Sequence, residues 1–169
     1  MRYVEVRRHT DNDGDQLTEQ GVADAEAIEV HPPYAAFVSS GAARATQMLT
    51  ILRRAAGQEG VPITGEPGLR SSVEDRWREA AKVAGKGASV ADMARVDPDL
   101  VDHETRLLGA ALRRVVDALP DGGRALVVGH SPTNEAAVSG VTGQTIRPLG
   151  RGDGVLVIEH GGRFEVRPL

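Results

Sequence analysis

Ala125-Leu126-Val127-Val128-Gly129-His130 is the stretch on which the fold turns. Its apolar run lacks the polar alternation of a half-solvated strand. It describes a strand covered on both faces, as in the middle of a parallel sheet flanked by helices. Pro120-Asp121-Gly122-Gly123 before it is a turn by composition. Thr133 to Val141 after it reads as a helix.

Working outward, Pro98 to Leu119 carries Leu100, Leu107, Leu108, Ala111, Leu112, Val115 and Val116 at the spacing of one helix face. Arg2 to Arg8 alternates around Val4 and Val6 and reads as a first strand. Asp11 to Asp15 is a loop by composition. Thr18 is placed to cap a helix that should run to about Val30, where His31-Pro32-Pro33 stops it. Ala35 to Ser40 reads as a buried strand, Ala42 to Ala56 as a helix, and Val61 to Thr64 as a short strand. Gly65 to Gly87 contains helical pieces without a clear pattern, and Ser89 to Val96 is a short helix. Gly154 to Glu159 and Arg163 to Arg167 flank His160-Gly161-Gly162 as a closing hairpin. Strands alternating with helices predict a three-layer α/β/α sandwich with a mostly parallel central sheet. Residues 1–169 read as one domain.

Composition narrows the chemistry. The chain has 169 residues, enough to bury a sizeable core. Aromatic residues make up only 3%, so that core must be built from Val, Leu, Ile and Ala. With no cysteine, disulfides, a thiol nucleophile and a cysteine zinc site are excluded. The N-terminal residues show no secretory pattern, and no run of about 18 apolar residues appears. The expectation is a cytoplasmic protein. The net charge of −4, with no Lys/Arg block, argues against nucleic acid as a partner. A local group of arginines can still bind a small anion.

Polar residues collect where three strands end: Arg8-His9-Thr10, Ser39-Ser40-Gly41 with Arg44 a turn later, and Gly129-His130-Ser131. Ligands of open α/β sheets bind outside the C-terminal strand ends. If these strands are parallel neighbours, Arg8, His9, Arg44 and His130 converge. Guanidiniums and imidazoles together make an anion site, and the arginine fork suits phosphate oxygens. Taken singly, each has a plainer reading as a turn residue or a solvated charge.

These motifs resemble the histidine phosphatase superfamily, which contains phosphoglycerate mutases and small phosphohistidine phosphatases. Val6-Arg7-Arg8-His9-Thr10 is similar to its Arg-His-Gly signature. Leu17-Thr18-Glu19-Gln20-Gly21 is similar to its helix start, with Ala25 where the family often has Gln-Ala. Ser39 to Gln47 resembles its second arginine segment, and Val127-Val128-Gly129-His130 its second histidine segment. The resemblance covers nearly the whole chain and implies a phosphoglycerate mutase-like fold. It also implies a metal-independent phosphatase, acting on phosphomonoesters or phosphohistidine, with no cofactor. His9 would attack phosphorus and become phosphorylated. Arg8, Arg44 and His130 would hold the phosphoryl oxygens. Thr10 stands where glycine is usual, and would either add a hydroxyl to the phosphate or crowd it. Asp24, where glutamine is common, reads as a surface change. The family's proton donor follows the third strand; Glu74 is the first choice, with Glu79 and Glu135 as alternatives.

The implied chemistry is coherent. A neutral imidazole is a good nucleophile, and nearby arginines should keep it neutral. Other readings stay open: a mutase-type phosphotransferase, a zinc hydrolase using His9, His130 and a carboxylate, and a catalytically silent phospho-ligand module. The substrate would be a phosphorylated small molecule or phosphoprotein, reached through an open cleft. Trp77 either lines the substrate mouth or packs. His31, His103 and His160 read as surface residues. Gly85-Lys86-Gly87-Ala88-Ser89 lacks the spacing of a phosphate loop. Ser131 is not read as a nucleophile, because Thr133 occupies the last glycine of the Gly-x-Ser-x-Gly pattern.

Overall fold

The computed structural model describes residues 1–169. Strand β1 (Arg2–Arg8) leads into a small hairpin of β2 (Asn12–Asp13) and β3 (Gln16–Leu17), then α1 (Glu19–Glu26). Next come β4 (Ala36–Ser39), α2 (Ala43–Ala55), β5 (Ile63–Gly65), α3 (Glu74–Ala84), α4 (Val90–Val96) and α5 (Pro98–Ala118). The chain closes with β6 (Arg124–Gly129), α6 (Thr133–Thr142), β7 (Gly154–His160) and β8 (Arg163–Pro168). The six-stranded sheet has the order β5-β4-β6-β1-β7-β8. Its first four members pair in parallel, and β7 and β8 are antiparallel.

The apolar run on β6 has the central place that its composition requires. Ala125 and Val127 face one core with Val4, Val6, Leu108, Leu112 and Ala137. Leu126 and Val128 face the other with Phe37, Met48, Leu49 and Leu52. Fully burying one such aliphatic or aromatic side chain stabilises the fold by about 1.5–3 kcal/mol. The two clusters are the two helix–sheet layers of the predicted sandwich.

Differences are local. Helix α1 ends at Glu26 instead of near Val30, where the last turn tightens: the Ala27 and Ile28 amides donate to the carbonyls three residues back, Asp24 and Ala25. Ile28 and Val30 then pack against the second core outside any helix. The polar loop after β1 pairs as the β2–β3 hairpin, Asn12 opposite Leu17. Strand β1 is apolar on one face only. On its other face Glu5 is fully buried, accepting from Arg124 Nη1 at 2.7 Å and from the Tyr34 hydroxyl at 3.1 and 3.2 Å.

Helices α5 and α6 touch backbone to backbone. A Cβ on Gly140 would lie 2.4 Å from the Thr105 carbonyl oxygen, and one on Gly109 would lie 2.8 Å from the Gly140 Cα. This contact seats α6, whose N-terminus adjoins His130. Gly140→Ala should therefore destabilise the protein by about 1–3 kcal/mol. Urea unfolding should show a lower midpoint with an unchanged slope; a wild-type midpoint would refute this packing.

Candidate active site

The parallel register determines where the polar strand ends lie. Arg8 pairs with Gly129 across β1 and β6, and Ser39 pairs with Val128 across β4 and β6. Beyond the paired residues, the His9 amide donates to the Gly129 carbonyl and the Ser40 amide to that of Val128. His9, Ser40 and His130 therefore leave the sheet at one level. Arg44, in the first turn of α2, reaches over them.

Arg44 bridges the two imidazoles. Its Nε donates to His9 Nε2 at 3.3 Å and its Nη2 to His130 Nδ1 at 3.3 Å. The rings lie 5.3 Å apart, edge to face. A guanidinium only donates, so both contacted nitrogens are acceptors. The His9 proton then sits on Nδ1, which donates to the Thr10 carbonyl at 2.8 Å. The His130 proton sits on Nε2, which donates to Ser40 Oγ at 2.7 Å. This network leaves the lone pair of His9 Nε2 facing a cation.

Both imidazoles are held neutral. Burial lowers the His9 pKa first, and the charges of Arg44, Arg8 and Arg151 lower it further, against the Thr10 hydrogen bond. Burial, then Arg44, His9 and Arg70, push His130 down to about 3. The sequence reading credited the arginines; the structure makes desolvation the larger cause.

Arg8 takes a different direction from Arg44. It donates from Nη1 to the Leu149 carbonyl at 2.7 Å, while its buried Nε has no partner. Its charge still acts on His9. Thr10 needs a correction. Its hydroxyl donates to the Gly21 carbonyl at 2.7 Å, tying β1 to α1. Its side chain faces a groove with Arg7, Asp24 and Ile28, away from the cleft of Arg44 and His130. Thr10 is thus no hydroxyl donor to a ligand between the imidazoles.

That cleft has a volume of about 250 Å3, and Arg44, Ser71, Glu74, Trp77, His130 and Ser131 line it. Glu74 stands at its mouth, where Oε1 accepts from Arg70 Nε at 2.9 Å. Glu79 is exposed and turned away from it. Trp77 both packs and lines: it is 3% exposed, and its indole N–H donates to Glu104 Oε1 at 3.1 Å. Glu135 is buried in the first turn of α6 and shares a hydrogen bond with Ser131 Oγ. Burial pushes its pKa up to about 7, opposed by Ser131 and the Arg8 charge. His31, His103 and His160 are exposed.

Sequence reasoning gave no role to Asp15, Ser40 and Arg151. Asp15 accepts from the Ala43 and Arg44 amides at 3.3 Å and from Arg44 Nη1 at 2.9 Å. It caps α2 from outside and orients Arg44 at the same time. The signal was available: Ala42 begins that helix and has no capping side chain. Arg151 pairs with Asp11 and adds a further cation whose charge reaches Arg8 and His9. No group of three or more His, Asp or Glu side chains gathers as a metal site. No helix is long and apolar enough to cross a membrane.

These shifts have opposite consequences for stability. Below the ordinary histidine value of 6.5 the unfolded chain takes up protons that folded His130 refuses, so stability is lost as pH falls toward 3. Glu135 acts in reverse. Above 4.5 the unfolded carboxyl ionises while the folded one resists, so its contribution is lost as pH rises through about 7. Urea melts from acid to neutral pH should show His130→Asn losing less stability on acidification than wild type. Glu135→Gln should lose less as pH rises. Unchanged slopes in both variants would contradict the buried neutral state of these groups.

No protein-family model matches the chain, and no curated protein matches it by sequence. Solved structures do. The phosphoglycerate mutase of Bacillus anthracis aligns with a TM-score of 0.69 at 16% identity, over 99% of this chain and 92% of its own. The mycobacterial glucosyl-3-phosphoglycerate phosphatase aligns at 0.66 and 16%, over 100% and 97%. The alpha-ribazole phosphatase of Shigella flexneri aligns at 0.69 and 12%, over 99% and 95%. With its layers, strand order and near full-length superposition, the chain has a phosphoglycerate mutase-like α/β fold.

Proposed function

We propose that this protein is a metal-independent phosphatase that works through a phosphohistidine on His9. One observation carries the reading: His9 Nε2 and His130 Nδ1 both accept from the Arg44 guanidinium, which gathers a neutral nucleophile and a fixed cation at one point. Structural neighbours named as phosphatases of small phosphorylated molecules support the substrate class.

The bonding makes the steps concrete. The phosphoryl group of a monoester enters the cleft between Arg44 and His130, displacing Arg44 from its contacts with the imidazoles. The His9 Nε2 lone pair attacks phosphorus as the bond to the leaving oxygen breaks. The imidazole becomes cationic, and its Nδ1–H stays on the Thr10 carbonyl. Arg44 donates to the equatorial oxygens, where a fixed donor is most effective, and the Arg8 charge acts from beside His9, while the His130 Nδ1 lone pair accepts the hydrogen of a protonated phosphoryl oxygen. Water then attacks phosphorus, the P–Nε2 bond breaks, and phosphate leaves. Two steps through a covalent intermediate replace one harder displacement.

Two alternatives lose their motive. A silent module would follow from Thr10 crowding the phosphate, and that side chain is tied to α1. The zinc reading needs a carboxylate converging on His9 and His130, but Arg44 occupies the space between them.

Rapid quenching with labelled phosphomonoester should trap acid-labile, alkali-stable label on the protein. His9→Ala should trap none. Arg44→Ala should lower kcat about 100- to 1,000-fold, as for loss of one transition-state donor. Label persisting in His9→Ala, or activity abolished by a chelator and restored by zinc, would end this reading.

A further inference from the structure

The proposed steps need a proton on the leaving oxygen, and the structure offers an unused source. Glu74 lines the cleft, but its carboxyl is engaged by Arg70 at the mouth. Ser131, which follows His130 in the chain, lines the same cleft, and its Oγ is hydrogen-bonded to Glu135 Oε2. Glu135 is 3% exposed, and its other oxygen, Oε1, is buried without a well-formed hydrogen bond, although the Glu135 and Leu149 amides lie close enough to oppose the upward shift of its pKa. Arg8 Nε, near enough for its charge to act on Glu135, is likewise buried and unpartnered.

We propose that Ser131 and Glu135 form the proton relay of this site: the serine hydroxyl protonates the leaving oxygen, and the Glu135 carboxyl resupplies it. The inference rests on the phosphatase reading above. When Glu135 carries its proton, the carboxyl O–H donates to Ser131 Oγ, and the serine hydrogen is free to point into the cleft. As the P–O bond breaks, Ser131 gives that hydrogen to the departing oxygen and takes the Glu135 proton. Glu135 is left as a carboxylate. In the second step the attacking water loses a proton to Ser131, and Ser131 returns one to Glu135. Protons balance over the cycle, and no other reagent is required.

The surroundings fit an acid that ionises in turn. Burial keeps the carboxyl protonated into the neutral range, and the Arg8 charge from β1 stabilises the carboxylate once formed. Arg147, before β7, shares a groove with Glu135, and His130 lies a helical turn away with its proton committed to Ser40. Asp153 and Arg151 also act on Arg8, with opposite signs. In this scheme Ser131 touches the substrate, and Glu135 is a positioning and proton-supplying residue.

Leaving-group dependence provides the test. An aryl ester, p-nitrophenyl phosphate, needs little protonation of its leaving oxygen; an alkyl ester, glycerol phosphate, needs it strongly. Glu135→Gln and Ser131→Ala should each lower the alkyl-to-aryl ratio of kcat/KM about 100-fold, the lower end of general-acid contributions. Glu135→Gln should also lose the alkaline limb of the pH profile. If circular dichroism shows Glu135→Gln unfolded, Ser131→Ala decides. An unchanged ratio in the folded variants, while wild type still traps phosphohistidine, would overturn the relay and leave the phosphatase reading intact. So would a fall in the ratio in Glu74→Gln alone. Absence of trapped label in wild type would remove both.

Discussion

Parallel pairing of β1, β6 and β4 is the constraint on which the site depends. Hydrogen bonding in register brings Arg8 opposite Gly129 and Ser39 opposite Val128. Chain segments far apart in sequence therefore leave the sheet at the same height. A slip of one residue on β1 would exchange the faces of Val4 and Val6 with those of Glu5 and Arg7. That slip would put a carboxylate into the apolar core and move His9 off Arg44. Core burial and site assembly are thus enforced by the same backbone bonds.

Within that frame, electrostatics sets the protonation of the site. Two imidazoles are buried beside a guanidinium, with further arginine charges close by. Like charges disfavour protonation, and burial disfavours it more. The imidazoles remain neutral beside fixed cations whose charge favours an anion. Asp15 anchors Arg44 from the solvent side without entering the space between the rings. Glu135 is governed by the same burial with the opposite sign: a carboxyl taken out of water keeps its proton, where a histidine gives one up.

Much of this was legible before the structure. The apolar run on β6, the stripe on α5 and the turn residues around them carried the layered α/β architecture. The convergence of His9, Arg44 and His130 could be anticipated because each stands at a strand end or one turn beyond it, whereas Arg8, expected to join them, turns to the Leu149 carbonyl. Glu74 does line the cleft, though tied to Arg70. Less was readable where a side chain has several partners within reach. Thr10 looked like a phosphate donor from its place beside His9, yet Gly21 supplies a carbonyl from α1 and takes its hydroxyl. Glu74 ranks ahead of Glu135 on family order, since both are glutamates near helix starts and the burial that separates them is not a local property. The partnership of Asp15 with Arg44 spans a hairpin that composition showed only as a polar loop.

By itself the sequence determined the periodicities, the turns and the residue types at each strand end, because these follow from local sterics and from the spacing of apolar side chains. Tertiary structure alone decided which nitrogen of each histidine bears the proton, which carboxyl is buried and which is solvated, and which arginine bridges the rings. Those properties depend on distances between segments tens of residues apart and on how much water is excluded from each. Neither quantity is written in any local stretch of the chain.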